Sequence, residues 1–104
     1  MEVGLEKNMN IALDFDATYT EDPELWNRFI ANATLRGHTV YCITMRYPTE
    51  GQEVEEALAN RVERILYTSR ELKRAFCNRN LIHIDVWIDD TPEFITGTEN
   101  ILGG

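Results

Sequence analysis

The sequence predicts an α/β fold: a single small domain whose parallel sheet of four or five strands, in the order 4-1-2-3, has helices on both faces. Three observations lead there. Short apolar runs at residues 11–13, 38–44, 64–68 and 82–88 alternate with segments whose apolar residues recur at helical spacing. The connections between them are short, so each helix returns the chain to the next parallel strand by a right-handed crossover. Acids and hydroxyls gather just beyond the last residue of each apolar run, where open parallel sheets bind their ligands.

Each element has a local reason. Ile11-Ala12-Leu13 is apolar throughout, as a buried parallel strand is on both faces. Asp22-Pro23-Glu24 is a helix start, with a capping acid, Pro at the first helical position and an acid in the first turn. Leu25, Trp26, Phe29, Ile30 and Ala33 then form an inward stripe, and Arg36-Gly37 stops the helix. His38-Thr39-Val40-Tyr41-Cys42-Ile43-Thr44, rich in β-branched and aromatic residues, is strand two. Residues 45–51 are loop, and residues 52–60 form a helix with Val54, Ala57 and Leu58 inward and a solvated acidic face. Residues 64–68 are strand three. Ser69 caps the next helix, which turns Leu72, Ala75 and Phe76 to one side. Residues 82–88 are strand four, and Thr91-Pro92-Glu93 starts a last turn or short helix. Ile101-Leu102 is the candidate fifth strand. Residues 1–8 are set apart as a flexible N-terminal extension, leaving 9–104 as the domain.

Composition narrows the function classes. The 104 residues carry a formal net charge of −8, which argues against extended nucleic-acid binding and against anionic membranes. No apolar run approaches the roughly 18 residues of a membrane span, and the polar N-terminus lacks the apolar core of a signal peptide, so a cytoplasmic location is expected. Two cysteines, Cys42 and Cys77, lie in apolar segments and read as buried free thiols. His38 and His83 are given no role.

The strand ends hold the chemistry. Asp14, Asp16 and Thr18 follow strand one; Thr44 and Arg46 follow strand two; Ser69, Arg70 and Lys73 follow strand three; Asp89 and Asp90 follow strand four. Four carboxylates at one edge repel one another unless protonated or joined by a cation. An all-oxygen set without nearby Cys or His selects a hard cation, Mg²⁺ or Ca²⁺. Carboxylates, hydroxyls, a metal and a basic residue together suit a phosphoryl group.

Asp14-Phe15-Asp16-Ala17-Thr18 after Ile-Ala-Leu resembles the first motif of the haloacid dehalogenase-like (HAD-like) superfamily, Asp-x-Asp-x-Thr after an apolar strand. Thr44 resembles its second motif, and Asp89-Asp90 after Val-Trp-Ile the paired-acid form of its fourth. The resemblance spans residues 9 to about 95. It implies a Rossmann-like three-layer fold and a Mg²⁺-dependent phosphatase. Asp14 would be the nucleophile, and Asp16 the general acid and base, with its carbonyl on the metal. Thr44 would bind the phosphoryl group, and Asp89 and Asp90 the Mg²⁺, one directly and the other directly or through water. Thr18 is counted with the phosphate-binding residues. The family's third-motif Lys falls best on Lys73, with Arg70 and Arg74 close enough to leave the choice open. The family commonly has Gly where this chain has Ala17. Neither cap insertion point has room for a domain, which implies a capless member with an open site. Such a site suits a small phosphate ester, a nucleotide or a phosphorylated macromolecular end, or a second copy of the chain covering it.

Two other readings stand beside this one. The first is a non-catalytic Mg²⁺- or phosphate-binding interaction module, against which the pair Asp14 and Asp16 speaks. The second is a phosphorylated receiver domain. Receivers carry their paired acids after strand one and the phosphorylated Asp after strand three, where this chain has Tyr67-Thr68-Ser69.

Overall fold

The structure is a computed structural model that describes residues 7–97. In chain order the elements are β1 (Asn10–Leu13), α1 (Pro23–Leu35), β2 (Thr39–Thr44), α2 (Gln52–Leu58), β3 (Ile65–Tyr67), α3 (Lys73–Arg79), β4 (Val86–Ile88) and α4 (Glu93–Thr96), with 3₁₀ turns at Tyr19–Glu21 and Pro48–Glu50. The four strands are all parallel, in the order β3-β2-β1-β4, which runs 4-1-2-3 from the β4 edge. The expected fifth strand and most of the N-terminal extension lie outside the described residues.

Period-two alternation along the strands divides the apolar residues between the two faces. Ile11, Leu13, Val40 and Cys42 join Ile30 and Ala33 of α1 and Val54 and Leu58 of α2 in one core cluster. Ala12, Ile43 and Leu66 join Cys77 of α3 in the other, with Phe76 and Trp87 packed against it. The sheet is thus the middle of three layers. Both cysteines are buried free thiols, and burial pushes the Cys42 thiol up to about 12.

Helix α1 begins as its sequence dictates. The Asp22 carboxylate accepts the N–H of Leu25, and Pro23 occupies the first helical position. It ends at Gly37, whose φ of 93° is open to Gly at little steric cost, with the Gly37 and His38 N–H groups returning to the carbonyls of Thr34 and Ala33.

Four local expectations are corrected. Leu25 is exposed, so the inward stripe of α1 begins at Trp26. Strand four begins at Val86 rather than Ile82. The Asp85 carboxylate takes the N–H of Asn10, so a side chain occupies the donor that a longer ladder would use. Ser69 caps nothing: its φ is 54°, and α3 starts four residues later, after Leu72. The buried side of α3 is Lys73 and Cys77, with Phe76 partly covered, whereas Leu72 and Ala75 face solvent. Among the described residues no helix is long and apolar enough to cross a membrane.

Candidate active site

The carboxyl ends of β1, β2 and β4 and the start of α3 meet around one cleft of about 410 Å³. Its walls include Asp14, Asp16, Thr44, Arg46, Lys73 and Asp90. Each is placed by the backbone beneath it. Asp14 follows β1 directly, and its N–H still donates to the carbonyl of Ile88 in β4 (3.0 Å), locking the two acidic strand ends side by side. After Asp14 the chain turns back sharply, and Tyr19 N–H reaches the Asp14 carbonyl at 3.3 Å. That turn puts Ala17 at φ 62°, a conformation that costs a non-glycine residue roughly 1–2 kcal/mol. The position is therefore one where Gly is the low-cost residue and Ala is tolerated.

At the centre is Lys73, 1% exposed. Its Nζ donates to Asp14 Oδ1 at 2.8 Å and to Asp89 Oδ2 at 2.5 Å, joining acids from two different strand ends. A lysine with so little access to water needs such partners, because an unpaired buried charge is severely destabilising. Thr18 lies beside the pair, its Oγ 3.1 Å from Asp14 Oδ2 and 3.3 Å from Asp90 Oδ1, while it accepts the N–H of Asp90 at 3.2 Å. Thr91 fixes the paired acids, its N–H on Asp89 and its hydroxyl on Asp90. Thr44 is fully buried and accepts the N–H of Arg46.

Asp14, Asp89 and Asp90 each offer a carboxylate oxygen, and the three lie within 4.8 Å of one another. Two metal–oxygen bonds reach nearly 5 Å for Ca²⁺, which spans that distance, and about 4 Å for Mg²⁺, around which the carboxylates would close by under about 1 Å. This cluster could hold a metal ion. Burial raises the Asp14 carboxyl to about 6, against the pull of Lys73. Burial acts the same way on Asp90, but hydrogen bonds to Asp14, Thr91 and Thr18 outweigh it and hold Asp90 below the usual carboxylate value.

Asp16 is placed differently. Its carboxylate is exposed, lies outside the three-acid cluster and is gripped by both arms of Arg46, Nε to Oδ2 at 3.0 Å and Nη2 to Oδ1 at 2.8 Å. The Arg46 hydrogen bonds hold the Asp16 carboxyl below its ordinary value. Arg46 is itself anchored, donating to the Glu50 carbonyl and to Glu53 and lying 5.2 Å over the Phe15 ring. Glu53 of the acidic helix face is thus tied to the cleft by an ion pair rather than merely solvated.

Of the three candidate cations, Lys73 enters the carboxylate cluster, Arg70 lines the cleft wall, and Arg74 lies outside the cleft over the ring of Trp87. Sequence reasoning gave no role to Arg46 or to Phe94, which also lines the cleft. Arg46 was signalled by its position two residues past a strand end, with acids four and seven residues further on. Phe94 follows the paired acids by four residues, but nothing in its neighbourhood distinguishes it from a core residue.

No protein-family model matches the chain, and no curated protein or solved structure does either.

The raised Asp14 carboxyl yields a stability prediction. The folded state binds this proton more tightly than the unfolded chain, so the contribution is complete below about pH 4 and is lost as pH rises through about 6. In the metal-free protein Asp14→Asn should therefore be more stable than wild type at pH 8, with the gap closing toward pH 4, in paired urea titrations. A divalent cation held by the three-acid cluster should act oppositely. At about 100 times its Kd it should stabilise the wild type by about 2.7 kcal/mol at pH 8 and far less at pH 5, with the gain sharply reduced in Asp14→Asn. Equal gains in both proteins would remove Asp14 from the ligand set.

Proposed function

We propose that this chain is a Mg²⁺-dependent phosphomonoester hydrolase of the HAD-like type, capless, with Asp14 as nucleophile. The observation that carries the reading is the buried Lys73 ammonium drawn between Asp14 and Asp89, with Thr18 and Asp90 against the same pair. A core position is rarely given to a lysine unless the charge is needed there.

Asp14, Asp89, Asp90 and the Asp16 carbonyl would hold the Mg²⁺. Their all-oxygen donor set fits such an ion. When bound, the ion would supply positive charge against the phosphoryl oxygens. The protein's own residues do the rest. An Asp14 oxygen attacks phosphorus as the bond to the leaving oxygen breaks, giving an aspartyl-phosphate. Lys73 holds Asp14 in place and balances its charge, and the Thr44 hydroxyl takes a phosphoryl oxygen. Asp16 gives its proton to the leaving oxygen. It then takes one from the water that attacks phosphorus, breaking the bond to Asp14 and releasing inorganic phosphate. The Arg46 grip favours ionised Asp16, the form required of the base; the acid step requires that Asp16 take up a proton and Arg46 yield.

That same grip supports a second reading, a Mg²⁺- or phosphate-binding module without turnover. The separating experiment is hydrolysis of p-nitrophenyl phosphate with Mg²⁺ and with EDTA. Mg²⁺-dependent phosphate release abolished by EDTA is expected. An inert protein that still binds Mg²⁺ would establish the module instead.

A further inference from the structure

We infer that the cleft takes a phosphate ester whose leaving group carries a second oxyanion, a phosphate or a carboxylate, and that Arg70 holds that group. This rests on the phosphate-site reading above and goes beyond it by naming the substrate class. The cleft is within the size range of small-molecule sites, so it has room for more than one phosphoryl group.

Three cations line it, and two are committed within the site. Lys73 is shared by Asp14 and Asp89, and Arg46 is gripped by Asp16. Arg70 is paired instead with Glu50, which is not among the cleft walls, at 3.3 Å and with both side chains about half exposed. An exposed pair of that kind is weak, and a ligand anion can displace it.

The Arg70 head is nonetheless held in place. Nη1 donates to the Met45 carbonyl at 2.6 Å, and the guanidinium lies 5.0 Å over the Tyr47 ring. Its backbone is held too. Ser69 and Arg70 both have left-handed φ, 54° and 73°, with their N–H groups on the carbonyls of Arg46 and Met45. Two successive non-glycine residues in that region store strain, and here they carry a cation to the cleft wall. A guanidinium fixed in this way matches a phosphate or carboxylate with two parallel donors. Met45 and Phe94, also in the wall, leave apolar surface for the body of the leaving group.

The test is equilibrium binding by calorimetry in Mg²⁺ buffer, which needs no turnover. The probes are methylphosphonate, α,ω-bisphosphonates with one to three methylenes, and phosphonocarboxylates of the same lengths. At least one two-headed probe should bind the wild type about tenfold or more tightly than methylphosphonate. Arg70→Gln should remove most of that preference, as expected for a lost charge-assisted pair. Which series shows the preference identifies the second group. Arg70→Lys keeps the charge but loses the fork, and its preference should fall at least threefold; it replaces Arg70→Gln if that variant does not fold. If methylphosphonate binds but no two-headed probe binds better, or the Arg70 variants keep the preference, the inference is overturned and the phosphatase reading stands. If no probe binds at all, the phosphate site itself falls, and this inference with it.

Discussion

Asp14→Asn should abolish phosphate-ester turnover, by on the order of 10⁴-fold or more, even with an activated leaving group such as nitrophenolate. The amide has no charge to attack phosphorus, and a good leaving group does nothing to replace the missing nucleophile. Asp16→Asn should behave differently. A general acid contributes about 10²–10⁴-fold, and its loss matters less when the departing oxygen needs no proton. The variant should therefore retain more activity on p-nitrophenyl phosphate than on an alkyl phosphate, down to the limit set by the slower dephosphorylation step. Both substitutions preserve side-chain volume. Initial rates on the two substrates give a two-by-two comparison. Near wild-type turnover in Asp14→Asn would exclude the covalent route and favour direct attack by water. Equal losses for Asp16→Asn on both substrates in kcat/KM, which reports the steps up to aspartyl-phosphate formation, would remove its acid role.

Lys73→Met should have the largest effect on stability. Lys73 is 1% exposed and serves two acids, so its removal leaves Asp14 and Asp89 facing each other without their cation. Breaking a buried pair on one side costs about 3–5 kcal/mol. The loss should depend on pH in a definite direction. Lys73 pulls the Asp14 carboxyl down against burial, so without it Asp14 is raised beyond about 6 and its ionisation opposes folding more strongly. The destabilisation should accordingly be greater at pH 8 than at pH 5, and Mg²⁺ should restore part of it at pH 8. Urea titrations at both pH values, with Mg²⁺ and with EDTA, measure this. An equal loss at both would assign Lys73 a packing role only.

How far the sequence carries can be judged from particular residues. Asp22-Pro23 and Gly37 set the ends of α1 because capping and left-handed φ are local events. Ile11 and Leu13 against Ala12 could be divided between two faces because side-chain alternation in a strand is fixed by its pleat. Leu25 and Ser69 were misjudged for the converse reason. A stripe and a cap are defined by what lies opposite them, and that is set by chain folded from elsewhere. Strand four was overextended because a competing partner for the Asn10 N–H, the Asp85 carboxylate, lies 75 residues away in sequence.

The site divides along the same line. The sequence by itself determined that acids, hydroxyls and basic residues would gather at one sheet edge, since parallel strands joined by crossovers must end on the same side. It also determined which residue types stand at each strand end: Asp14 and Asp16, Thr44, Asp89 and Asp90. Only the tertiary structure decided which of them touch. Lys73, Arg70 and Arg74 lie within five consecutive residues, and the resemblance favoured Lys73 while leaving the choice open. The turn at Ser69 and Arg70 and the late start of α3 send Lys73 into the acid cluster, Arg70 to the cleft wall and Arg74 onto Trp87. The two carboxylates of Asp-x-Asp were told apart by the resemblance alone and not by their neighbours in sequence. Burial beside Lys73 raises one, and Arg46 at the rim lowers the other. Desolvation and charge pairing depend on distance in space, and spacing along the chain does not encode it.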